Sequence, residues 1–194
     1  MTVKAPTMLL EANFDIHQIG ETLKWRFSRT DHNGCPIYGL YAGGIYYTVG
    51  EEMKIHLTAG SAQRLKSFRV LDCTLITRPA LIEIGHGKPF KYAQPSPFIE
   101  NSGIKIAGAS VNLPGHQFKP SDIDPIEPIE PIESDYHRLA VQWEKHLTVG
   151  QTPGRWEFSF VVTVEVECHG AAPVQRVFCF DPEGEVGSTV SPPK

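Results

Sequence analysis

Large apolar residues at every second position most constrain what this chain can fold into. Trp156, Phe158, Phe160, Val162, Val164 and Val166 alternate with Glu157, Ser159, Val161, Thr163 and Glu165. Side chains on a strand point to opposite faces with a period of two, so this run is a long strand with one face on a core. It stops at the turn cluster His169-Gly170-Ala171-Ala172-Pro173, and a second apolar run follows from Val174 to Phe180. Pairing Glu167 with Gln175 sets Phe178 against Val164 and Phe180 against Val162. Both rings then join the apolar face. Cys179 falls opposite Thr163 and Cys168 opposite Val174, so a Cys168–Cys179 bridge is not expected. A one-residue slip would turn both rings to the wrong side.

Further short strands are expected at Leu9–Ile16, Glu21–Ser28, Gly44–Val49, Met53–Thr58, Phe68–Ile76, Leu81–Ile84, Ile104–Leu113 and His137–Val141. Turn chemistry separates them, as at Asp31-His32-Asn33-Gly34 and Gly50-Glu51-Glu52. The seventeen glycines and sixteen prolines favour turns over long helices. Asp135–Leu147 reads both ways. Leu139, Trp143 and Leu147 fit a helix face, while Leu139, Val141 and Trp143 alternate as on a strand, and the neighbours favour strand. The fold expected is all-β: an antiparallel β-sandwich, or a jelly-roll-like barrel, of about eight to ten strands in a single domain over 1–194.

Residues 114–134 differ in character. Pro-Ile-Glu occurs three times in succession between Pro125 and Glu133. A repeat of three suits polyproline II, with Ile126, Ile129 and Ile132 along one edge. The segment reads as an acidic, semi-rigid loop or arm. Its isoleucine stripe is a candidate docking surface, on its own sheet or on another subunit.

The formal net charge is −4, and the lysines and arginines are scattered, which argues against a nucleic-acid partner. No apolar run is long enough to span a membrane. The first fifteen residues carry no secretory pattern, so a cytoplasmic location is expected. The four cysteines, at 35, 73, 168 and 179, form no CxxC and are expected as free thiols.

No motif assigns a reaction. The eight histidines make neither HExxH nor HxH. His56, between Ile55 and Leu57, is the best placed for a metal, but it stands on the face opposite those residues and is expected to meet solvent. Glu83, Glu157, Glu165 and Glu167 lie on strands, where a solvated sheet face is the ordinary outcome. No nucleophile elbow or phosphate-binding loop is present, and no cofactor or metal is expected. Trp25, Tyr38, Tyr41, Tyr46 and Tyr47 are the candidate ligand-binding residues, because rings with polar tips suit a sugar surface. The adjacent Tyr46 and Tyr47 must point to opposite faces of their strand.

The C-terminal third has a distinctive layout. A proline-rich stretch precedes Tyr136, then Gly154-Arg155-Trp156-Glu157-Phe158-Ser159-Phe160, then a strand ending in Phe180-Asp181-Pro182. Over residues 120–187 this resembles bacterial inclusion-body proteins of the PixA and AidA type. Phe180 stands where that family often carries tryptophan, and Glu183–Gly187 departs from its pattern. The resemblance implies a cytoplasmic, mainly β protein associated with inclusions and no known reaction. The leading expectation is a non-enzymatic protein acting through self-assembly or partner binding, as a homo-oligomer. The alternatives are a small-ligand or carbohydrate-binding module and a cupin-like metal-dependent enzyme.

Overall fold

In the computed structural model the alternating run forms one long strand whose large residues all face a buried core. The structure describes residues 7–30, 36–39, 45–82, 91–100, 104–121 and 136–186. The strands are β1 (Thr7–Asp15), β2 (Lys24–Thr30), β3 (Pro36–Gly39), β4 (Ile45–Tyr47), β5 (Glu52–Ser61) and β6 (Leu65–Pro79). Then come β7 (Leu81–Ile82), β8 (Lys91–Tyr92), β9 (Phe98–Ile99), β10 (Ile106–Ala107), β11 (Ser110–Pro114) and β12 (Phe118–Pro120). The last are β13 (His137–Trp143), β14 (Leu147–Val149), β15 (Gly154–Cys168), β16 (Val174–Phe180) and β17 (Glu183–Val186).

They build a β-sandwich. An eight-stranded sheet runs β12-β13-β5-β1-β2-β3, with β14 and β9 attached through β5. A seven-stranded sheet runs β10-β11-β6-β15-β17-β4, with β16 also on β15. β7 and β8 form a separate small pair. Most pairs are antiparallel, as expected of a sandwich. β1 and β5 pair in parallel, as do β17 and β4. Between β1 and β5 the chain visits β2 and β3 of the same sheet and β4 of the other.

The core lies between the sheets. The eight-stranded sheet contributes Met8, Leu10, Ala12 and Phe14 from β1, Met53, Ile55, Leu57 and Ala59 from β5, and Val141 and Trp143 from β13. The other sheet answers with Phe158, Phe160, Val162 and Val164 from β15, Cys73 and Leu75 from β6, and Phe178 and Phe180 from β16. The Phe160 and Phe180 rings stack at 4.5 Å with 3° between their planes. A stacked pair of this kind adds about 0.5–1.5 kcal/mol beyond area burial.

Both hairpin phenylalanines point inward as the alternation requires, but the register is offset by two residues from the one expected. Phe180 faces Phe160, Phe178 faces Val162 and Cys179 faces Val161. An offset of two preserves every face, so the core is unaffected. The cause lies at the turn. β15 continues to Cys168 by pairing with Leu65 of β6, while β16 starts only at Val174, after a proline that cannot donate to a ladder. Cys168 therefore faces Leu65, not Val174.

Ile104–Leu113, expected as one strand, is divided into β10 and β11. The turn between them holds Gly108 at φ 63°, a left-handed conformation that glycine adopts without penalty. The stretch that read as both helix and strand is β13. Cys73, Cys168 and Cys179 are free thiols, and Cys35 lies outside the described residues. Among the described residues no helix is long and apolar enough to cross a membrane.

Candidate functional site

β1 reads Thr-Met-Leu-Leu-Glu-Ala-Asn-Phe-Asp, and its alternation sends Met8, Leu10, Ala12 and Phe14 to the core. Glu11 therefore stands on the opposite, outer face. The same rule puts His56 and Thr58 of β5 outward, because Ile55, Leu57 and Ala59 face in. Strand register then lines up one polar row across four strands: Arg26 beside Glu11, Glu11 beside His56, and His56 beside Gln142. The next row along the strands places Asn13 beside Thr58.

This outer face is not a solvated one. Glu11 and His56 are fully buried and Thr58 nearly so. His56, expected to meet solvent, is shielded from it, because alternation fixes the face of a residue and not what lies over that face. Arg26 donates from Nε to Glu11 Oε2 at 3.1 Å. Glu11 Oε1 lies 3.6 Å from His56 Nδ1, too far for a hydrogen bond. Among the described residues, Glu11 Oε1, both His56 ring nitrogens and Thr58 Oγ1 have no hydrogen-bond partner. Buried polar atoms are nearly always paired, and each one left unpaired costs roughly 1–3 kcal/mol. The signal in the sequence was a carboxylate inside the apolar run Met8-Leu9-Leu10-Glu11-Ala12.

Two residues further along β5, the outer face is bare at Gly60, and the Tyr136 ring fills the space. A Cβ at Gly60 would collide with that ring. Arg138 lies 5.6 Å from its centroid. Burial first, then the hydrogen bond and charge of Asp15, push the Tyr136 hydroxyl well above the ordinary tyrosine range.

Of the aromatic candidates, Trp25, Tyr46 and Tyr47 do not share one surface. Trp25 packs against the core from β2. Tyr47 is buried, its ring against Phe98 and Phe158, and its hydroxyl donates to Met53 Sδ at 3.5 Å. Tyr46 points the other way and is exposed. Tyr38 sits in β3 opposite Ser28. Tyr41 lies outside the described residues, as do Ile126, Ile129 and Ile132 of the proline-rich arm.

Glu157, Glu165 and Glu167 share the outer face of β15, each paired with a cation of β6: Arg78 at 2.7 Å, Arg69 at 2.7 Å and Lys66 at 2.6 Å. Glu83 lies outside the described residues. The hydrogen bond from Gln175, followed by those of Arg69, holds the Glu165 carboxyl below its usual value. This is an ordinary solvated ladder. His17, His116, His137 and His169 are exposed, and His146 lies 3.6 Å from Glu52. Among the described residues no three metal-ligating side chains come together.

The second notable feature is an edge. β16 pairs with β15 on one side only. On its other side, Cys179 accepts from Leu23 N–H at 2.8 Å and donates to Glu21 O at 2.9 Å. Odd-numbered residues of β16 thus aim their backbone groups away from β15. Gln175 and Val177 share that orientation, and among the described residues no backbone group pairs with them there. Val174 and Val177 are 56% and 52% exposed. No known family model matches the chain, and no curated protein sequence is significantly similar to it.

Proposed function

We propose that this chain is a non-enzymatic assembly protein, in which a second copy pairs along the open edge of β16. The edge itself carries the reading. Natural sandwiches blunt their edges by shortness, proline or charge. Here β12 is three residues ending in Pro120, β3 is four residues opening with Pro36, and β10 and β4 have two and three. β16 has seven residues and no proline. Its one charge, Arg176, is turned back to the carbonyls of Ile16 and Gln18 at 3.1 and 2.6 Å. What remains on the edge is Gln175 and an exposed valine.

A second copy suits this edge because every copy presents it. Two β16 strands related by a two-fold axis would merge two seven-stranded sheets into one. Exposed Val177, Val161 and Ile76 form a diagonal stripe across β16, β15 and β6, which extends the apolar surface next to the edge. The free thiols agree with a reducing, cytoplasmic setting. The resemblance of residues 120–187 to inclusion-body proteins points the same way.

Light scattering coupled to size exclusion at micromolar concentration tests this. The wild-type chain is expected as a dimer or larger. Val177→Pro removes an N–H that no described residue accepts, and Val177→Lys adds a solvated charge at the edge, so both are expected to be folded monomers. A monomeric wild type, or variants that remain oligomeric, would overturn the reading.

A further inference from the structure

We infer that the outer face of the eight-stranded sheet holds a neutral polyhydroxy ligand, a monosaccharide or related polyol, at Glu11, His56 and Thr58. This is independent of the β16 edge, which belongs to the other sheet.

The argument starts from what the site leaves unspent. Arg26 occupies Glu11 Oε2 and leaves Oε1 as a pure acceptor. His56 has two unpaired ring nitrogens, one donor and one acceptor when neutral. Thr58 Oγ1 offers both a donor and an acceptor. A fold gains nothing from burying such atoms unpaired, and an apolar residue at each position would hold the sheet better. Retention of unpaired polar atoms at a stability cost is characteristic of functional sites.

Charge selects the ligand class. The Glu11 carboxylate is already paired with the Arg26 guanidinium. An anionic ligand would set its charge against the free oxygen of Glu11. A metal ion would find one imidazole and one carboxylate oxygen, with the Arg26 guanidinium already on that carboxylate. A ligand hydroxyl meets neither objection. It donates to Glu11 Oε1, while a neighbouring hydroxyl exchanges hydrogen bonds with His56 and Thr58. These atoms are closed to solvent in the free chain, so the site must open to admit the ligand, and association is slower than at an open site.

The test is a thermal-shift and calorimetric titration of the full chain with glucose, galactose, mannose and myo-inositol, with inorganic phosphate and zinc chloride as charged controls. At least one of the polyols is expected to raise the melting temperature of the wild type. Thr58→Val and His56→Leu are expected to abolish that shift while melting no lower than wild type without ligand. The inference is overturned if none of the polyols binds the wild type, if binding survives both substitutions, or if only phosphate or zinc produces the shift. The wild-type titration decides even if a variant does not fold.

Discussion

The Tyr136 hydroxyl donates to Asp15 Oδ2 at 2.7 Å, tying the chain just before β13 to the end of β1 across 121 residues of sequence. Between them lies Gly60, paired with Asp15 on one side and Arg138 on the other. Gly60→Ala drives a methyl group into the Tyr136 ring and is expected to destabilise by about 1–3 kcal/mol. Tyr136→Phe removes the hydrogen bond and is expected to cost about 1 kcal/mol. With Tyr136 reduced to alanine, Gly60→Ala should become neutral or slightly stabilising, since alanine is better than glycine inside a strand by roughly 0.5–1 kcal/mol. Urea unfolding of the four chains of this double-mutant cycle measures the coupling. Additive effects would show that the ring does not press on Gly60.

Glu51 and Arg29 form the second buried ion pair. Arg29 donates to both carboxylate oxygens, at 2.6 and 3.0 Å, and the Thr48 N–H donates at 3.0 Å. Glu51 is fully buried and Arg29 largely so. Glu51→Ala leaves a guanidinium without its counter-ion and is expected to cost about 3–5 kcal/mol. The double substitution Arg29→Met with Glu51→Leu should recover most of that loss, because it removes both charges together. Denaturant midpoints of the two chains make the comparison. A double variant no more stable than Glu51→Ala would mean the pair is needed for more than charge balance.

Residues 156–180 show how much of the fold the sequence held. The parity of Phe178 and Phe180 follows from alternation alone, and so does the opposite placing of Tyr46 and Tyr47. The two-residue offset does not, because it depends on how far β15 pairs with β6, a strand nearly ninety residues earlier. The parallel pairing of β1 with β5 is hidden for the same reason: nothing local marks a strand's more distant neighbour. The candidate site was half legible. Alternation puts Glu11 and His56 on the face away from the core. Only the three-dimensional structure shows that this face is closed to water and that register sets the two side by side. Among the aromatic candidates, Tyr47 shows that a tyrosine that reads as a binding surface serves equally as core packing.

Thiol reactivity should separate the described cysteines. Cys73 is fully buried, and burial together with the neighbouring Asp72 carboxylate raises its thiol well above the ordinary range. Cys168 is also buried, whereas Cys179 is partly exposed on the outer face of β16. The thiolate is the reactive form, so Cys73 should be inert in the native state. With Cys35 replaced by serine, an aromatic disulfide reagent at neutral pH is expected to titrate one thiol quickly and the other two only after denaturation. Fast reaction of two or three thiols in the native chain would contradict the burial of Cys73 and Cys168.

Alkaline pH should weaken the sandwich through three acidic groups, Tyr47 and Cys73, which are buried, and Tyr136, which is partly so. Burial raises the Tyr47 hydroxyl far above its ordinary value of 10.0, with the Glu51 carboxylate adding to the effect and Arg29 opposing it. Tyr136 and Cys73 are raised as well, from 10.0 and 9.0, in each case chiefly by burial. Each group stays protonated in the folded chain at a pH where the unfolded chain has already released the proton. Their contribution is therefore complete below the unfolded values and is lost as pH rises. The decline should begin near the ordinary thiol value of 9.0 and steepen above the tyrosine value of 10.0. One fully shifted group gives a slope of about 1.4 kcal/mol per pH unit, and Tyr136, which is only partly buried, gives less. Urea midpoints measured from neutral pH upward for the wild type and for Tyr47→Phe make the test, since the variant lacks one of the three protons and should show a shallower decline. Identical slopes would mean that the Tyr47 hydroxyl ionises as readily in the folded chain as in the unfolded one, which its packing against Phe98, Phe158 and Met53 does not allow.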